Sequence, residues 1–173
     1  MKNNKKLISL IISVIVFIVI TFELGGFGSD SKIHVEGNVS SREVVTLIRP
    51  VDGDTANFET KSFGRVNVRF SGVNTPETRH PTLGLEFYGK EASIFTEQKL
   101  READKIEIEW DLTQAPSHDR PIGIIFVDGV NLNILLVKEG YGDLRYLEED
   151  MPYAKEYIEA LEYAQTNNLG RWK

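Results

Sequence analysis

The residues best equipped for chemistry lie between Arg69 and Thr78, where an alternating strand ends on a cation and a proline-bent loop then carries a carboxylate, Glu77. Upstream stands Asp54, within Val51-Asp52-Gly53-Asp54-Thr55, and downstream a second arginine, Arg120, follows Asp119. Planar guanidinium groups grip phosphate through paired N–H donors and offset the charge that builds on a phosphoryl group during transfer. A carboxylate beside them can take a proton from water. Asp54, Asn74 and Glu77 offer oxygen donors without imidazole or thiolate, so a metal bound among them would be a hard cation, calcium first and magnesium second. Taken singly these residues have plainer roles: Asp54 and Asn74 as turn residues, Arg69 and Arg120 as surface charges. The combination is what points to phosphate chemistry.

Several other chemistries are excluded. The chain has no cysteine, so it holds no disulfide, no thiolate nucleophile and no cysteine metal site. His34, His80 and His118 show no zinc-ligand spacing. Neither a Gly-x-Ser-x-Gly elbow nor a glycine-rich phosphate loop ending in Gly-Lys-Ser/Thr is present. With a formal net charge of -6, the chain is a poor match for binding nucleic acid over a broad basic face. Any such binding is expected in a local cleft, where a metal ion would offset the negative potential.

These residues need elements to position them. Apolar residues in Val44 to Ile48, Thr55 to Thr60, Phe63 to Phe70, Lys105 to Trp110 and Ile122 to Val127 predict five short strands, the first ending at Pro50. Asp52-Gly53 and Asp128-Gly129 read as hairpin turns, with Asp54 opening the second strand. Alternation in the third strand turns Arg69 away from the barrel-facing side chains Val66, Val68 and Phe70. Helical spacing predicts packing helices over Tyr88 to Ala103, Leu132 to Glu139 and Pro152 to about Asn168, with Gly140 capping the second. The acid-rich stretch from Glu139 to Glu162 reads as a solvated face. The expected fold class is α+β, mainly β: a five-stranded barrel of the OB type with three helices packed on it.

The expected domain organisation has three parts. Residues 1–28 place Lys2, Lys5 and Lys6 ahead of an apolar run over residues 7–22, which as a helix would rise about 24 Å. The pattern predicts a signal peptide or an N-terminal membrane anchor, with the domain secreted or held outside the cytoplasm. Residues 29–42, rich in glycine and serine, read as a flexible linker, and residues 43–173 as the folded domain.

Along the domain, in order, Asp52-Gly53-Asp54-Thr55, Arg69 with Asn74-Thr75-Pro76-Glu77-Thr78, His80-Pro81, Tyr88-Gly89-x-Glu91-Ala92-Ser93 and Leu169-Gly170-Arg171-Trp172 resemble the staphylococcal nuclease, or thermonuclease-like, family. The resemblance implies an OB-type barrel and calcium-dependent (Ca²⁺) hydrolysis of DNA and RNA phosphodiesters; the chain is expected to be a monomer. It implies a metal site at Asp54, Asn74 and the Thr75 carbonyl, phosphate contacts from Arg69 and Arg120, Glu77 as general base, and Tyr146 at the substrate pocket. Asn74 stands where the best-known members carry a second aspartate, which removes one charge from the site and weakens calcium binding. On charge alone, Asn74→Asp is expected to lower the calcium requirement. The loop before Arg120 lacks a Lys-Tyr-Gly, and Glu148 replaces a second pocket tyrosine. The rival expectation is a non-catalytic extracellular module that binds nucleic acid or protein on the same barrel.

Overall fold

The computed structural model describes residues 35–36, 39–78, 84–117 and 119–173. The expectations for residues 1–28, for His34 and for the His80-Pro81 and His118 loop positions lie outside the described residues. Everything below concerns the compact unit Lys32–Lys173.

Two short strands, β1 (Val35–Glu36) and β2 (Val39–Ser40), pair within the stretch expected as linker. The Ser40 hydroxyl accepts a 2.8 Å hydrogen bond from the Trp110 backbone N–H, which ties that stretch to the barrel. The barrel strands are β3 (Glu43–Asp52), β4 (Thr55–Thr60), β5 (Gly64–Phe70), β6 (Ile106–Trp110) and β7 (Ile122–Val127). They run in the order β5-β4-β3-β6-β7 through antiparallel pairs, and β5 then meets β7 in a parallel pair, Arg69 opposite Ile122 and Phe70 opposite Gly123. This last pair closes the sheet and leaves no edge between those strands. A two-residue strand, β8 (Val130–Asn131), adds to β7 through Asp128-Gly129, both at positive φ as a tight hairpin requires.

β3 does not end at Pro50. It continues to Asp52, with register shifts between Leu47 and Arg49 and between Pro50 and Asp52. Proline lacks the ladder donor and is tolerated at such irregularities, so the strand bends around it and delivers Asp52 to the barrel rim. Asp54 falls in the turn and β4 begins at Thr55.

Three helices pack on the barrel: α1 (Gly89–Glu102), α2 (Leu132–Lys138) and α3 (Ala154–Thr166), followed by a 3-10 turn at Gly170–Trp172. The α1 face that meets the barrel is Ala92, Thr96 and Leu100, spaced by four residues as a helical stripe demands. α2 begins on Asn131, whose side chain accepts from the Ile134 N–H, and inserts Leu132, Leu136 and Val137 into a core with Phe58, Phe70 and Ile108. α3 contributes Tyr157, Ala160 and Ala164. Among the described residues no helix is long and apolar enough to cross a membrane.

A buried polar knot holds helices to barrel. Asn133 accepts from the Ile125 N–H at 3.0 Å and donates to the carbonyls of Ser71 at 2.9 Å and Gly123 at 3.1 Å. Tyr157 donates to the same Ser71 carbonyl at 2.8 Å. The buried phenol has its pKa pushed far above the ordinary value, chiefly because burial penalises the charged form. Every group in this knot has a partner, so its cost of burial is offset.

Candidate active site

The β3–β4 turn, the end of β5 and the loop after it converge at one rim of the barrel. The turn is fixed from below by α1, where the buried Thr96 hydroxyl donates to the Gly53 carbonyl at 2.5 Å. Only glycine permits this approach: a Cβ at Gly53 would lie 2.6 Å from the Thr75 hydroxyl and 3.0 Å from the Ala92 methyl. The turn therefore stacks on the loop that carries Asn74, Thr75 and Glu77.

Asp54 is 5% exposed, and both oxygens of its carboxylate have partners. Oδ2 accepts from the Thr75 N–H at 2.7 Å and the Thr75 hydroxyl at 2.9 Å, while Oδ1 accepts from the Thr55 hydroxyl at 3.2 Å and pairs with the Arg69 guanidinium. Arg69 leaves the barrel side of β5, as alternation predicts, but packs into the rim with a side chain 16% exposed. Its Nη2 also donates to the Val73 carbonyl at 3.2 Å and reaches Asn74 Oδ1 at 3.5 Å. Burial and the nearby Arg120 charge bring its pKa down to about 10, with Glu77, Tyr146 and Asp52 acting in the opposite sense. The guanidinium is therefore still charged at neutral pH.

Asp54, Arg69, Asn74, Glu77, Arg120 and Tyr146 all line one cleft of about 830 Å³. Thr75 is buried beneath it and anchors Asp54. Arg120 comes from the loop between β6 and β7, where Ser117 and Arg120 form a backbone bridge. Its Nε donates to the Ser117 carbonyl at 3.0 Å, which turns the guanidinium into the cleft. Tyr146 is 60% exposed at the cleft wall, a surface on which a base or sugar can stack. Glu148 lines the same wall.

Glu77 is exposed at the cleft, and its backbone is pinned across the loop: its N–H donates to Glu86 Oε2 at 2.9 Å and its carbonyl accepts from the Glu86 N–H at 3.0 Å. Its carboxyl pKa is raised by partial burial, then by the charge of Asp52 and a hydrogen bond shared with it. Arg69 opposes that shift. A carboxylate with a raised pKa is a better proton acceptor, which suits a general base.

Two residues escape a reading of the sequence. Asp52, which reads as a turn residue, lines the cleft and shares a hydrogen bond with Glu77. The signal available was its two-residue spacing from Asp54 across a tight turn. Asp143 lies in the stretch read as solvated face, yet its Oδ1 accepts from Asn74 Nδ2 at 3.1 Å, and the two residues exchange backbone hydrogen bonds of 2.9 and 2.8 Å. Arg171 donates to its other oxygen at 2.9 Å. Asp143 thus takes the amide nitrogen of Asn74 and leaves Oδ1 turned toward Arg69 and the cleft.

Among the described residues no three acidic or imidazole side chains gather as a metal-ligand cluster. The donor chemistry nevertheless fits a hard cation. Asp54 and the Asn74 amide oxygen both approach Arg69, and Asp52 and Glu77 crowd one another beside them, so a cation there would meet oxygen donors and relieve carboxylate repulsion.

A model of the staphylococcal nuclease homologue family matches residues 67–173. The chain is 29% identical over 133 residues to a thermonuclease of Staphylococcus hyicus, covering 77% of this chain and 78% of that protein. With a thermonuclease of Staphylococcus intermedius it shares 28% identity over 166 residues, covering 95% of each. With the SPbeta prophage-derived endonuclease YokF of Bacillus subtilis it shares 30% over 131 residues, which is 74% of this chain and 43% of that protein.

Proposed function

The chain belongs to the staphylococcal nuclease family, and from that membership we propose that it is a calcium-dependent nuclease that hydrolyses phosphodiester bonds of DNA and RNA in the cleft between Arg69 and Glu77. The observation that carries the proposal is the convergence of Asp54, Arg69, Glu77 and Arg120, from separate segments of chain, on one solvent-open cleft.

In this reading the scissile phosphate lies between the two guanidinium groups, which donate to its non-bridging oxygens and bind more strongly as negative charge develops there. Glu77 holds a water in line with the phosphorus and takes its proton as the water oxygen bonds to phosphorus. The ester P–O bond breaks, and the leaving oxygen is protonated from solvent. Asp54 and Thr75 fix the position of Arg69 before substrate arrives. Tyr146 offers its ring to the nucleoside on one side of the phosphate. Calcium, held by Asp54, Asn74 Oδ1 and the Thr75 carbonyl, would act as a Lewis acid that polarises the phosphoryl oxygen. Export, as a secreted or membrane-tethered enzyme, is supported by the lysines ahead of the apolar run at residues 7–22.

The assay is single-turnover cleavage of single-stranded DNA by the purified chain and by Arg69→Ala. Loss of the arginine is expected to lower kcat by about 100-fold or more, the typical loss when one preorganised transition-state donor is removed. An unchanged kcat sinks the clamp.

A further inference from the structure

Cleavage within a polynucleotide requires room for chain on both sides of the scissile phosphate, and among the described residues the main cleft is lined by one exposed aromatic ring, Tyr146. A second groove of about 580 Å³ shares Val51, Asp52 and Glu77 with that cleft and continues from it along α1. We propose that this groove is the subsite for the nucleotides on the other side of the scissile phosphate, and that Arg49 and Lys90 hold their backbone. The assignment rests on the nuclease reading of the adjoining cleft.

Three features of the groove suit single-stranded nucleic acid. Its cations are Arg49 and Lys90, both exposed, and among the described residues neither takes part in an ion pair with a carboxylate. In an acidic domain whose other arginines largely meet carboxylates, two such cations beside the reaction centre complement a phosphate backbone. Lys90 sits in the first turn of α1, where the helix dipole disfavours positive charge, so its placement does nothing for the helix. Arg49 is oriented by Asn57, whose amide oxygen, in the orientation that satisfies both groups, accepts from its Nε at 3.1 Å and Nη2 at 3.2 Å. Nη1 is then left to point elsewhere.

The floor of the groove is apolar. Val51, Leu85 and Ile94 line it and are 39%, 60% and 53% exposed, a concentration of open apolar surface beside two cations. Sugars and base faces can cover such surface while phosphates meet the cations, and hydroxyls of Thr78 and Ser93 lie along the same walls. Among the described residues the acids of the groove, Asp52 and Glu77, stand at the edge shared with the main cleft. A strand leaving the scissile phosphate would thus pass from the acidic rim to the basic wall.

The test compares the full chain with Arg49→Ala, Lys90→Ala and the double variant on two substrates: single-stranded oligonucleotides of about eight nucleotides, and a nitrophenyl phosphodiester of a single nucleoside. Neither side chain is buried, so the fold persists in each variant. The expected result is a fall of about tenfold in kcat/KM on the oligonucleotide for the double variant, carried by KM, with the small diester unaffected. The slope of log KM against log salt is expected to flatten by about 0.7 per cation removed, as for phosphate contacts on a single strand. Equal losses on both substrates, or no loss on the oligonucleotide, overturn the subsite while leaving the nuclease reading intact. A parent chain that cleaves neither substrate overturns the nuclease reading and the subsite with it.

Discussion

Asn74→Asp tests how the site is held together. By charge alone it should strengthen a calcium site, since it adds the second carboxylate that Asn74 lacks. The structure predicts a different first consequence. Asn74 Nδ2 donates to Asp143 Oδ1 at 3.1 Å, so the substitution replaces a hydrogen bond with two carboxylates facing each other. Two unit charges at that distance repel by about 5 kcal/mol at an effective dielectric of 20. Arg171, 2.9 Å from Asp143, and Arg145, at 3.6 Å, offset part of this, and side-chain rotation relieves more. With about 1 kcal/mol for the lost hydrogen bond, the net loss of stability is expected at about 2 kcal/mol in the absence of calcium. Urea denaturation reads it as a lower midpoint with an unchanged slope. Asp143→Asn in the same chain restores the donor–acceptor pair with its roles reversed. The double variant is therefore expected to recover most of the loss and to bind calcium more tightly than the parent. A single Asn74→Asp variant as stable as the parent, or two effects that simply add, would refute the pairing.

Other expectations follow from the same contacts. Glu77→Gln keeps the size of the side chain but removes the proton acceptor, and kcat is expected to fall by about 10² to 10⁴ with little change in KM, as steady-state cleavage would read. Tyr157 titrates at about 10 when unfolded and higher when buried, so above pH ~10 the unfolded chain binds fewer protons and stability falls as pH rises. Urea midpoints across that window should show a slope that Tyr157→Phe reduces. Gly72 has φ +69, and a Cβ there would lie 2.7 Å from the Tyr157 ring, so Gly72→Ala is expected to cost about 1 to 3 kcal/mol in the same assay.

Local signals in the sequence carried far, because the strands alternate and the helices have clean stripes. The five barrel strands and three helices fall within a few residues of their sequence positions. The catalytic candidates Arg69, at the end of β5, and Glu77, in the loop after it, stand close in sequence, so their proximity was legible too. What stayed hidden depends on partners distant in sequence. Glu109 alternates like an outward-facing strand residue, but it is buried, accepting from Arg42, 67 residues away, and from the Tyr153 hydroxyl. Asp143 meets Asn74 across 69 residues, and no local pattern distinguishes it from the solvated acids around it. The parallel closure of β5 on β7 likewise has no periodicity of its own. Pro50 would have ended an ordinary strand; the irregular register around it is a property of the pair β3–β4, and so it escaped a reading of β3 alone. Asp52 was lost to the same misreading, since a strand that stops at Pro50 leaves it in a loop.

The proposed activity is calcium-dependent cleavage of phosphodiesters in the cleft that holds Arg69, Glu77 and Asp54. It is tested most directly by cleavage of single-stranded DNA by the purified chain in a calcium titration and after chelation, with Glu77→Gln run alongside. The expected result is cleavage that rises with calcium, stops on chelation and is lost in Glu77→Gln. Absence of cleavage at millimolar calcium, or full cleavage by Glu77→Gln, would contradict it.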